Sequence, residues 1–187
     1  GVLSVAARGD LAGREPVRRS GARPGDVVAV IGELGRSAAG YALWHNAIDG
    51  FDALRQRHLV PEPPYGQGVV AARAGATAVT DVSGGRRAGV GHIASASGGR
   101  IALSTAGLRV DLDAVAAAAA VLGSDPWEWV LGGGEDHALV ATFPGALPPG
   151  WRSIGTVVDA AEAGAADGPD VTVDGAAWDG NAGWQSF

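Results

Sequence analysis

The sequence has no cysteine, no lysine and no methionine. Without cysteine there is no disulfide framework, no thiolate zinc site and no thiol nucleophile. That composition fits the cytoplasm. The 14 basic residues are all arginine. Any mechanism built on a Walker A lysine, a Schiff base or a kinase-type strand lysine is therefore excluded. Aromatic residues are scarce at 6%, and charged residues make up only 18%. No apolar run reaches the ~18 residues that a membrane-spanning helix needs, and the start carries no signal-peptide pattern. The formal net charge of −6 lacks the basic excess that nucleic-acid binding demands. With Gly1 first and no methionine, the chain is expected to continue upstream.

What is present is apolar and glycine-rich. Hydrophobic residues make up 47% of 187 positions, and glycine supplies 31. The length suits one domain and part of a second. The glycines follow no collagen-like period and sit at the ends of apolar segments. Strands are expected at Val27–Ile31, Ala76–Val82, Ile101–Leu103, His137–Phe143 and Trp151–Val158, with a short edge strand at Val171–Val173. Val27–Ile31 is a continuous apolar run of the kind found in buried parallel strands. Helices are expected over Arg36–Asn46, Phe51–Arg57, Tyr65–Ala74, from after Ser83 to Ala96, and over Leu112–Leu122, with a short one from Asp125-Pro126. Pro24-Gly25-Asp26 signals a turn. Asp159–Asp170 reads as a flexible Ala/Gly/Asp loop. The alternation gives an α/β class. Val2–Ala6 is β-like, and residues 1–22 read as the end of a preceding domain and a linker, with the α/β domain over 23–187.

Five places can carry chemistry. Gly32-Glu33-Leu34-Gly35-Arg36-Ser37 follows a strand and opens a helix, so its N–H groups suit an anion. It is equally a tight turn capped by Ser37. Asp81-Val82-Ser83 closes an apolar strand, where a carboxylate can hold Mg²⁺ and a serine can donate to phosphate; the plainer alternative is a turn cap. Gly132-Gly133-Gly134-Glu135-Asp136 presents two acids for a cation, a hydroxyl or a metal, or merely for solvent. Arg18-Arg19-Ser20-Gly21 offers guanidinium forks to phosphate, or a solvated basic loop. Trp184 and Phe187 are a stacking surface for a flat ring, or a tail anchored in its own core. The histidines His45, His58, His92 and His137 lack metal-ligand spacing and read as structural or surface residues.

In order along the chain, several segments together resemble the thiamine-monophosphate kinase family. They are Arg19-Ser20-Gly21-Ala22-Arg23-Pro24-Gly25-Asp26, Gly35-Arg36-Ser37-Ala38-Ala39-Gly40, His58 to Pro63, Asp81-Val82-Ser83, Gly133-Gly134-Glu135-Asp136 and Gly183-Trp184. Each piece is weak alone; the ordered set, spread over nearly the whole chain, is specific. The resemblance implies ATP-dependent phosphorylation of thiamine monophosphate to thiamine diphosphate, with Mg²⁺. It implies the C-terminal domain of the aminoimidazole ribonucleotide synthetase-like fold, a mixed sheet with flanking helices. It also implies an N-terminal domain that builds a homodimer and carries most of the metal-binding acids. By motif match, Arg19 and Ser83 would contact ATP and Asp81 would hold Mg²⁺. Glu135 and Trp184 would contact thiamine monophosphate, Trp184 by stacking.

The chain departs from the family pattern after Ser83. The family continues Asp-Gly-Leu; here the residues are Gly84-Gly85-Arg86, followed by Arg87. One Mg²⁺-binding acid is lost and positive charge is gained, which opposes metal binding. The family's Tyr-Glu after Glu-Asp is His137-Ala138 here. The 187 residues alone are expected not to catalyse the reaction. The competing readings are an inactive remnant, a nucleotide-binding domain, or another ATP-dependent synthetase of the same superfamily.

Overall fold

The computed structural model describes residues 4–6, 9–83, 86–159 and 170–177, with backbone alone for 86–88. A 3₁₀ turn at Arg19–Gly21 leads to β1 (Val27–Ile31). Then come α1 (Arg36–His45), α2 (Asp52–Leu59), α3 (Gln67–Arg73), β2 (Ala78–Asp81), α4 (Arg86–Ser97), β3 (Arg100–Leu103) and α5 (Thr105–Leu122). A π-helical turn at Glu128–Gly132 precedes β4 (Leu139–Phe143), β5 (Arg152–Val158), β6 (Val171–Val173) and β7 (Ala176–Ala177). Trp184, Phe187 and Gly84 lie outside the described residues, as do nearly all of the loop expected over 159–170.

The strands form one sheet in the order β2-β4-β1-β5-β3-β6-β7. β1 is antiparallel to both its neighbours, β4 and β5, and among the described strands only β3 and β6 run parallel. The expected mixed sheet with flanking helices is present, but β1 is not a parallel strand. Val28 and Val30 point into the core shared with α4 and α5, while Ala29 packs with Ala71 of α3 on the opposite face. A strand covered on both faces is apolar throughout, whichever way its neighbours run. β6 is not an edge strand either, because β7 pairs outside it. Of the β-like run Val2–Ala6, the described residues 4–6 form no strand.

Local chemistry explains several boundaries. In the turn before β1, Asp26 N donates to Arg23 O at 3.0 Å and Arg23 N donates to the Asp26 carboxylate at 2.9 Å. Gly25 has φ +88° there, as the third residue of a type II turn with proline second. α5 starts seven residues earlier than its alanine-rich stretch suggests. Ser104 caps it, accepting from Gly107 N at 3.1 Å. At the far end of the sheet Asp174 accepts from Thr105 N and Oγ1, which ties the β6–β7 turn to the start of α5. Those bonds hold the Asp174 carboxyl below the usual carboxylate range. Among the described residues, no helix is long and apolar enough to cross a membrane.

Candidate active site

The sheet register brings three loops to one end. Ile31, at the close of β1, and Asp81, at the close of β2, both pair with Leu139, the first residue of β4. Because β4 runs antiparallel to both, the loop entering it arrives where the other two strands stop. The segments 32–35, 82–83 and 132–138 are therefore neighbours in space. Val82 N donates to Ala138 O at 2.9 Å, and Glu135 N donates to Ser83 O at 3.0 Å. Ser83 Oγ donates to Asp81 Oδ2 at 2.7 Å. Asp81, Ser83 and Glu135 are thus drawn together, with the Asp81 and Glu135 side chains exposed. His137 Nε2 stands 3.9 Å from Glu135 Oε2.

The start of α1 answers the question its glycines posed. Gly35 N donates to Asp136 Oδ2 at 2.6 Å, and Ser37 N donates to Asp136 Oδ1 at 2.8 Å. An anion does sit at this helix N-terminus, but it is the chain's own carboxylate. Ser37 is not the cap; its Oγ bonds His58 Nδ1 at 3.1 Å. Asp136 is not merely solvated, as a free loop acid would be. Gly35 has φ +79°, and a Cβ there would stand 2.9 Å from Val130 N. Gly133 is held closer still: a Cβ would meet Trp129 O at 2.3 Å and Ala38 Cβ at 2.7 Å. Gly133→Ala is expected to cost about 1–3 kcal/mol through overpacking. The check is a thermal melt, and an unchanged midpoint would show that the loop can relax.

A second carboxylate holds the Gly32–Gly35 loop from below. Asp111 on α5 is 3% exposed. Its Oδ1 accepts from Leu34 N at 3.2 Å, and Arg152 Nη2 lies 2.9 Å from Oδ1 and 2.7 Å from Oδ2. Arg152 Nη1 also donates to Gly107 O at 3.1 Å. Neither Asp111 nor Arg152 stands out in the sequence, although Asp111 falls at helical spacing among Leu108, Leu112 and Val115. Above the loop, Glu33 pairs with Arg36 at 3.1 Å and with Arg57 at 2.9 Å, and Arg57 also pairs with Glu62. The bond to Glu62 raises the Arg57 pKa above its ordinary value.

Arg19 is not drawn into the cluster. It is exposed, and its carbonyl accepts from Ser97 Oγ at 2.9 Å. Val79 N donates to the adjoining Arg18 O at 3.3 Å, so this backbone lies two residues down β2 from Asp81.

No family model matches the chain. It is 62% identical to the thiamine-monophosphate kinase of Mycobacterium tuberculosis over all of its 187 residues, which cover 54% of that relative. The chain belongs to the thiamine-monophosphate kinase family. It is 41% identical to the thiamine-monophosphate kinase of Corynebacterium glutamicum over 83% of the chain and 49% of the relative. It thus spans about half the length of the curated relatives it matches. Among solved structures, AaThiL complexed with AMPPCP and TMP superposes with a TM-score of 0.71 at 32% identity, over 91% of this chain and 54% of that one. The hydrogenase maturation protein HypE in complex with ATP superposes at 0.59 with 17% identity, over 84% of this chain and 50% of that one, a likeness of fold alone. The fold of this kinase-family chain is aminoimidazole ribonucleotide synthetase-like.

Among the described residues, no three His, Asp or Glu side chains gather to hold a metal. Asp81 nevertheless fits Mg²⁺ in part. It is an exposed hard-oxygen donor at a loop junction, and Mg²⁺ commonly takes one or two carboxylates and completes its shell with phosphate and water.

Proposed function

We propose that this chain is part of a thiamine-monophosphate kinase of the cytoplasm, comprising the end of a preceding domain and a linker over residues 1–22 and the C-terminal domain over 23–187. The reaction transfers the γ-phosphoryl of ATP to a phosphate oxygen of thiamine monophosphate, releasing ADP and thiamine diphosphate. The observation that carries this reading is the meeting of Asp81, Ser83 and Glu135 at one sheet end, in a chain 62% identical to a named kinase of that activity. That a relative's structure carries AMPPCP and TMP supports the choice of nucleotide and substrate.

Each residue has a chemical role in this reading. The Ser83 hydroxyl donates to an ATP phosphate, and Arg19 offers its guanidinium to phosphate oxygens from the flank of β2. The Glu135 carboxylate meets a substrate that carries a cationic ring. Trp184 stacks on that substrate. Asp81 would hold Mg²⁺, which, when bound, offsets negative charge on the phosphates. Positioning and charge neutralisation supply most of the catalysis in phosphoryl transfer, so the absence of lysine is no obstacle. One exposed carboxylate cannot neutralise a triphosphate. Dimerisation and the remaining acids fall to the other half of the protein.

The test is turnover. The protein expressed from its complete gene, given ATP, Mg²⁺ and thiamine monophosphate, is expected to form thiamine diphosphate and ADP in equal amounts. The 187 residues alone are expected to form none. A complete protein that binds both substrates without product would favour the inactive remnant.

A further inference from the structure

We infer that Asp136 is a positioning residue for substrate recognition, acting through Glu135 and never touching substrate. This rests on the assignment of Glu135 to thiamine monophosphate made above. Three observations lead to it. Both oxygens of the Asp136 carboxylate accept at the start of α1, one from Gly35 N at 2.6 Å and the other from Ser37 N at 2.8 Å. The residues on either side both have left-handed backbone, Glu135 at φ +65° and His137 at φ +55°. Neither is glycine, and side chains adopt that region only when their surroundings impose it. The third is that Glu135 N and Ala138 O bond the segment to Ser83 O and Val82 N, on the strand end that carries Asp81.

The geometry works as a two-sided clamp. On one side the loop is stitched to β2. On the other it is pinned to the rigid start of a ten-residue helix, where the helix dipole and two N–H donors favour a carboxylate. Between the two pins, Glu135 holds a left-handed turn with its side chain exposed. If the helix-side pin is lost, the backbone of Glu135 can relax toward the common extended region. Its carboxylate is then no longer held in place, while Asp81 stays at the end of β2 and Ser83 just beyond it. Substrate recognition should therefore fail selectively, and ATP recognition should survive.

The test compares Asp136→Ala and Asp136→Asn in the protein expressed from its complete gene. Asp136→Ala is expected to raise KM for thiamine monophosphate about tenfold or more, the scale of a lost charge-assisted hydrogen bond. KM for ATP should stay within about twofold, a change too small to correspond to a lost bond. Asp136→Asn keeps one carbonyl acceptor for the helix and is expected to recover part of the loss. Hydrogen exchange across residues 132–139 should quicken in the alanine variant and less so in the asparagine variant. Loss of kcat with both KM values unchanged would indicate a role in stability only and overturn the inference. If Asp136→Ala fails to fold, Asp136→Asn decides by the same KM split. If the unaltered protein has no kinase activity, the assigned reaction falls, and exchange decides Asp136 on its own: unchanged protection over 132–139 would refute the clamp.

Discussion

Asp111→Ala is expected to lower the thermal midpoint by about 4–12 °C. Removing one partner of a fully buried ion pair costs about 3–5 kcal/mol, because the other charge is left without compensation. The Asp111 side chain is 4% exposed, but that of Arg152 is 28% exposed, so water recovers part of the loss. About 2–3 kcal/mol is the fitting figure, and each kcal/mol is worth about 2–4 °C in a domain of this size. The change also strips Leu34 N of its acceptor and loosens the loop that leads into α1. Asp111→Asn keeps an oxygen for Leu34 N and should lose less. The pair Asp111→Leu with Arg152→Leu should be milder than Asp111→Leu alone, since no charge is then stranded. A midpoint within about 1–2 °C of the parent for Asp111→Ala, the range of an ordinary surface change, would show that this pair holds nothing.

What could be read from residues, and what could not, divides along a physical line. Val27–Ile31 is a strand with the expected bounds, and Pro24-Gly25-Asp26 is a turn held as its chemistry suggests. Those features are local. Strand direction is not local: an apolar run buried on two faces carries no mark of whether its neighbours are parallel, and β1 proved antiparallel to both. The strand-end rule points to Asp81 and Ser83, and the structure sets them beside segment 132–138, because antiparallel β4 brings its entering loop to the end where β1 and β2 finish. The helix cap was missed because it comes from Asp136, about a hundred residues from the donors it satisfies. Asp111 does carry a signal in the sequence: an acid in the apolar stripe of Leu108, Leu112, Val115, Ala118 and Ala119 must be paired if it is buried.

Asp81→Asn, in the protein expressed from its complete gene, is expected to cut kinase turnover by about a hundredfold or more. That is the scale seen when one preorganised group facing the reacting charge is removed. The substitution is close to isosteric. The Asp81 side chain is exposed, and the amide that replaces it would still offer an oxygen to the Ser83 hydroxyl, so the thermal midpoint should move by no more than about 2 °C. What disappears is the negative charge. With Gly84 where the family's strand-end motif has a second acid, the proposed metal role at this strand end rests on Asp81, so its loss is expected to be felt more. Extra Mg²⁺ should restore part of the rate in Asp81→Asn and none in a variant lacking the substrate contact, Glu135→Gln. Ser83→Ala serves as the contrast. It removes a donor but leaves the carboxylate, so it should raise KM for ATP by about tenfold, the scale of one lost hydrogen bond to a charged group. If Asp81 served only as a partner for Ser83, the order would invert. Asp81→Asn would keep its bond and its activity, and Ser83→Ala would be the more damaging change.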